Sequence, residues 1–126
     1  IVGFHHYEPF KFTHQGAFWI KPELPVGVRC CDATQVAALT EPLDLAKAWS
    51  TQHRYPVFMG EFGSFKAADM DSRVNFTRLV RQEAERRGIP WAYWELASNF
   101  GVYDPATKAF KTPLLQALMG TERSGQ

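Results

Sequence analysis

Three short stretches carry side chains suited to carboxylate chemistry. Gly60-Glu61-Phe62-Gly63 sets an acid where the apolar run Val57-Phe58-Met59 ends. In parallel α/β folds, working residues gather at the C-terminal ends of strands. Flanking glycines permit unusual backbone angles and close ligand approach. Taken alone, the four residues fit an acidic turn in a glycine-rich loop slightly better than a catalytic acid. His5-His6-Tyr7-Glu8-Pro9-Phe10 also sits at a strand end. Alternation puts His5 and Tyr7 on one face and His6 on the other. Such side chains can hold a neighbouring carboxylate and donate hydrogen bonds to a substrate. A single histidine is more often a packing residue, and the helix-borne His53 is read that way. In Trp91-Ala92-Tyr93-Trp94-Glu95-Leu96, Trp91 and Tyr93 share a face and Trp94 takes the other. Trp94 fits a stacking floor for a sugar ring and a core tryptophan equally well, while Glu95 reads as structural. All three stretches hold the same position in successive βα units, so parallel strands would gather them at one rim.

The elements that must position them follow a βαβαβα pattern, which argues for a parallel α/β architecture. Strand 1–6 leads into a loop from Tyr7 to about Ala33. A helix follows from about Glu41 to His53, with Thr40 as cap and Pro42 in its first turn. Leu43, Leu45, Ala46 and Trp49 are expected on its apolar side. Strand 56–60 comes next, its continuous apolar run matching a strand covered on both faces. A second helix is expected over about Asp71 to Arg87, carried by Val74, Phe76, Leu79, Val80 and Ala84, with Gly88 and Pro90 ending it. A third strand is expected over Trp91–Leu96, then a loop with Gly101, Asp104 and Pro105. A last helix is expected over about Pro113 to Met119, capped by Thr112 and stopped by Gly120.

The 126 residues are enough for one domain, read here as a single partial-barrel unit over 1–126. Hydrophobic residues make up 45% and charged residues 21%, which supports a buried core. The net charge of +1 gives no electrostatic footprint for nucleic acid. Arg78, Arg81, Arg86 and Arg87 alternate with Glu83 and Glu85 and read as a solvated helix face. Neighbouring cysteines rarely meet disulfide geometry, so Cys30 and Cys31 imply no disulfide framework. No run is long enough for a membrane span, and no metal or organic cofactor is implied. Opening on Ile1 without a signal peptide, the chain reads as a mature form, a fragment or a trimmed product. Three parallel strands cannot close a barrel, which takes about 250 residues in its full form. Their open edges predict a homo-oligomer that completes them.

The stretch from His5 to Ala17 resembles the sixth-strand region of glycoside hydrolase family 5, the cellulase family. Pro56-Val57-Phe58-Met59-Gly60-Glu61-Phe62-Gly63 resembles its seventh strand. Trp91 to Glu95, followed by Phe100-Gly101-Val102-Tyr103-Asp104, resembles its eighth. The resemblance spans essentially the whole chain. It implies the C-terminal units, strands six to eight, of a TIM (β/α)8 barrel. By position it implies Glu61 as nucleophile, His5 and Tyr7 as the pair beside it, and Trp94 lining the sugar site. His6 stands where many relatives have an aromatic residue and is carried over as a substrate contact.

The expected substrate is a β-1,4-linked glucan or a related β-mannan, and the expected location is extracellular. The mechanism implied is retaining double displacement with two carboxylates. Family members carry the acid/base glutamate in an Asn-Glu pair, and this sequence has none. Glu8, Glu95 and Asp104 are the only local substitutes. The chain is therefore expected to be a C-terminal glucanase fragment with little activity alone. The alternatives are a β-glycan-binding module and a self-assembling partial barrel.

Overall fold

A computed structural model describes residues 1–121. Strand β1 (Val2–His6) pairs in parallel with β2 (Val57–Phe62). Between them lie a short helix, α1 (Phe10–Thr13), and a long one, α2 (Ala33–His53). Helix α3 (Met70–Arg86) follows β2. A small antiparallel hairpin of β3 (Tyr103–Asp104) and β4 (Ala109–Phe110) precedes α4 (Thr112–Met119). Phe12, Leu39, Leu43, Met59, Phe62, Phe76 and Leu114 are fully buried between the strands and the helices.

Helix α2 starts eight residues before the expected Glu41. Asp32 accepts from the Gln35 amide at 2.8 Å, and the Gln35 side chain accepts from the Asp32 amide at 2.8 Å. This capping box satisfies two end donors reciprocally and sets the start. Thr40 is therefore not a cap; its hydroxyl donates back to the Val36 carbonyl at 3.1 Å. Pro42 lies inside the helix, where one carbonyl a turn earlier loses its donor. Leu39 and Leu43 form the buried stripe, whereas Leu45 and Trp49 are exposed. Helix α3 is capped by Asp69, which accepts from the Ser72 amide at 2.9 Å. Gly120, at φ 67°, ends α4 in the left-handed conformation that glycine adopts without a Cβ penalty.

The expected third strand is reduced to one bridge, Met59 with Trp91. The segment does run beside β2: the Met59 amide donates to the Pro90 carbonyl, and the Ala92 amide to the Met59 carbonyl, both at 2.9 Å. The next bond goes from the Trp94 amide to the Phe62 carbonyl at 2.8 Å. Two residues on one side thus face three on the other, which breaks a regular ladder. Alternation nonetheless holds for the aromatics, because Trp91 and Tyr93 both pack edge-on against Phe62.

One further expectation changes. The arginine run is not wholly a solvated face. Arg81 is buried and donates to the Ala117 carbonyl of α4 at 2.7 Å. Arg87 is nearly covered and bridges Asp44 of α2 at 2.7 Å and Glu83. No described helix is long and apolar enough to cross a membrane.

Candidate active site

The register of β1 on β2 builds the site. Val2, Gly3 and Phe4 lie opposite Val57, Phe58 and Met59, but His5 lies opposite Glu61, not Gly60. One extra residue on β2 makes this a bulge. Val57 and Met59 are buried against the helices, and strict alternation would send Glu61 the same way. The bulge reverses the phase. Glu61 emerges on the face shared by His5 and Tyr7, and Phe62 turns into the core instead.

On that face the Tyr7 hydroxyl donates to Glu61 Oε2 at 2.7 Å. His5 Nδ1 lies 3.4 Å from the same oxygen. Glu61 keeps about a quarter of its side chain exposed (24%), so the carboxylate is supported yet reachable. Burial, and then the bond to Glu61, push the Tyr7 phenol well above the usual tyrosine range, so it remains a donor. Both of these contacts fall on the same carboxylate oxygen of Glu61, Oε2.

His6 does not join this group. It is buried on the helix side of β1, as alternation requires, and burial lowers its pKa from 6.5 to about 4. Its Nε2 has no hydrogen-bond partner among the described residues. A substrate contact by His6 is therefore withdrawn: the ring is sealed between the strand and α2.

Trp94 is 44% exposed at the end of the segment bridged to β2. Gly63 is needed for its placement, because a Cβ there would overlap the Trp94 carbonyl. The loop beyond is held through the Phe100 carbonyl, which accepts from Arg73 Nη2 at 3.0 Å and from the Tyr93 hydroxyl at 2.8 Å. Arg73, itself buried, also reaches Ser64 Oγ at 3.3 Å and so links this loop to the one after Glu61.

The three candidate substitute acids are occupied locally. Glu8 accepts from the Phe10 amide at 3.0 Å, Glu95 from the Phe100 amide at 3.5 Å, and Asp104 from the Ala106 amide at 2.9 Å. Among the described residues, no group of three or more His, Cys, Asp or Glu is placed to hold a metal ion.

Sequence reasoning left His14 and Gln15 without a role of their own. The His14 ring stacks on Phe10 at 4.2 Å and meets Tyr7 edge-on at 5.0 Å. Its Nδ1 is 2.9 Å from Thr13 Oγ1. Gln15 is buried and spends both ends of its amide on backbone: it donates to Phe12 and Val28 carbonyls and accepts from the Gly27 and Val28 amides. It thereby folds the 14–28 loop back beside Tyr7. The signal available was a polar pair inside an otherwise aromatic stretch, which periodicity does not weigh.

A carboxylate flanked by His and Tyr at the carboxyl ends of parallel strands, with an exposed tryptophan alongside, defines a carboxylate-based site of the α/β barrel class. The chain belongs to the cellulase family, glycosyl hydrolase family 5, whose profile matches residues 1–100. Among solved structures it is similar to a hyperthermophilic endo-β-1,4-glucanase in complex with substrate. That match has 44% identity and a TM-score of 0.89, and covers 95% of this chain and 39% of that one. It is also similar to Thermotoga maritima Cel5A in complex with cellobiose, with 39% identity and a TM-score of 0.89 over 94% of this chain and 39% of that one. A curated relative is Endoglucanase H of Acetivibrio thermocellus, 29% identical over 94% of this chain and 13% of that protein. The chain thus spans well under half of the relatives it matches.

Proposed function

We propose that this chain supplies the nucleophile half of a retaining endo-β-1,4-glucanase site, corresponding to strands six to eight of the barrel, with Glu61 as nucleophile. The observation that carries the reading is the convergence of Tyr7 and His5 on one oxygen of Glu61. With Oε2 held, Oε1 attacks the anomeric carbon as the glycosidic C–O bond breaks, giving a glycosyl ester. An acid about 5–5.5 Å away protonates the leaving oxygen in such enzymes, and water then releases the sugar with retained configuration. Trp94 offers its face to a pyranose ring by apolar contact. The substrate class is a β-1,4-linked glucan, and an extracellular place of action belongs to the same reading.

The acid does not come from this chain's described residues, because each local carboxylate is tied to its own loop. The chain alone is expected to hydrolyse glucan little or not at all, since general acid assistance is worth about 10²–10⁴-fold. The test is reducing-sugar release from a soluble β-1,4-glucan beside a Glu61→Gln control. Release that persists in the control would remove Glu61 from the mechanism.

A second reading, a non-catalytic β-glycan-binding or self-assembling module, is supported by the exposure of Trp94 and by β1 having one partner strand among the described residues. A homo-oligomer that completes the open edges is the form it takes. A monomer by light scattering, with no glucan binding, would remove it.

A further inference from the structure

Cys30 and Cys31 take no part in the site around Glu61. They lie on the segment that leads from the 14–28 loop into the cap of α2, and they differ in access. Cys30 is 7% exposed and belongs to the main core cluster. Cys31 is only partly buried, at the margin of that cluster.

The backbone around the pair is tied to three elements. The Cys30 amide donates to Ser72 Oγ of α3 at 3.0 Å. The Arg29 carbonyl accepts from Gln35 Nε2 of α2, and the Asp32 amide donates to Gln35 Oε1, both at 2.8 Å. On the other side, the Val28 amide and carbonyl are both bonded by the side chain of Gln15. With the segment fixed at both ends, the difference in access between the two cysteines is a property of the fold.

Adjacent Cα atoms stand at most about 3.8 Å apart. A disulfide usually spans about 4.4–6.8 Å, so a ring closed between neighbours is more easily reduced than an ordinary bridge. It also closes almost no loop and adds little as a cross-link. A neighbouring pair therefore suits a bond that forms and opens, not a permanent brace.

We propose that Cys30 and Cys31 form a reversible thiol–disulfide site for small disulfides, with Cys31 as the attacking thiol and Cys30 as the resolving one. The Cys31 thiolate attacks one sulfur of a small disulfide such as glutathione disulfide. The S–S bond of that molecule breaks, one glutathione thiolate leaves, and a mixed disulfide forms on Cys31. The Cys30 thiolate then attacks Cys31 Sγ and expels the second glutathione thiolate. The two cysteines lose two electrons and two protons, and the small disulfide takes up both to leave as two thiols. The order follows from access, because the thiol that meets solvent reacts first. Nothing in this assignment depends on the role of Glu61.

The test treats the reduced, folded chain with glutathione disulfide, traps the remaining thiols with an alkylating agent and weighs the products. The parent is expected to lose about 2 Da, to take up no alkyl group, and to regain both thiols in dithiothreitol. Cys30→Ala should stop at one stable glutathione adduct on Cys31. Cys31→Ser should react at least about tenfold more slowly, because Cys30 is covered, and denaturant should erase that difference. If Cys30→Ala does not fold, brief treatment of the parent followed by peptide mapping gives the same assignment, with the transient adduct on Cys31. A parent that keeps both thiols, one that retains a glutathione adduct, chains cross-linked to one another, or a first adduct on Cys30 would overturn the proposal.

Discussion

The Tyr7 hydroxyl and Glu61 Oε2 are 2.7 Å apart across 54 positions of sequence, joined over the edge of two parallel strands. Tyr7 is itself fixed from behind, because its carbonyl accepts from Thr13 Oγ1 at 2.7 Å. This bond fixes the Tyr7 backbone against the last residue of α1. Charge-assisted bonds of this kind are about twice as strong as neutral ones, so the pair sets the orientation of the acid.

This contact gives a spectroscopic expectation. With its pKa driven upward by burial and by Glu61, Tyr7 stays protonated where an ordinary tyrosine ionises, at about pH 10. Tyr7→Phe should therefore leave the amplitude of the tyrosinate absorbance change near pH ~10 the same as in the parent. A loss of one tyrosine's worth of signal would contradict the contact.

Gly63 should not tolerate a side chain. A Cβ there meets the Trp94 carbonyl, a backbone atom that cannot swing aside. Gly63→Ala is expected to cost about 1–3 kcal/mol, the usual range for overpacking. Chemical denaturation reads this cost, and near-ultraviolet circular dichroism reads the displaced Trp94. An unchanged midpoint and spectrum would show that the loop yields easily.

Arg73 links the loop after Glu61 to the loop carrying Trp94. Replacing it with Met leaves the Phe100 carbonyl and Ser64 without a charged donor. A loss of about 1.5–3 kcal/mol in unfolding free energy is expected, with Arg73→Lys losing less. Equal losses in the two variants would point to packing in place of hydrogen bonding.

His6 predicts an acid-sensitive fold. Its pKa falls from 6.5 to about 4 because burial penalises the charged ring. The folded state therefore prefers the neutral form. The His6 contribution is complete above pH 6.5 and is lost as pH drops toward about 4. The full shift corresponds to about 3 kcal/mol. His14, lowered by burial as well, acts in the same direction. His6→Leu should flatten the decline of stability over that pH range. A decline as steep as the parent's would assign the acid sensitivity elsewhere.

The sequence by itself determined the two parallel strands, the C-terminal ends of α3 and α4, and the family. Local chemistry fixes these: Gly88 and Gly120 act on backbone within a few residues of themselves, and the motifs are contiguous. It also determined that His5 and Tyr7 share a face, since one strand's alternation is a local property. The start of α2 was legible in principle, through Asp32 and Gln35, but apolar periodicity passed over a cap that lies in a polar stretch.

The tertiary structure alone decided how Glu61 meets that pair. Alternation within β2 pairs Glu61 with buried Met59, on the helix side. Only the register against β1, with its extra residue at Gly60–Glu61, reverses the phase. The same irregularity spaces the Trp94 segment out of a regular third strand, so the break in pairing and the exposure of the acid share one cause. His6 fell to the other side of the same geometry: adjacent to both site residues in sequence, it is sealed beneath α2. Which face a strand end presents depends on the strand beside it, and that relation is not written in either segment alone.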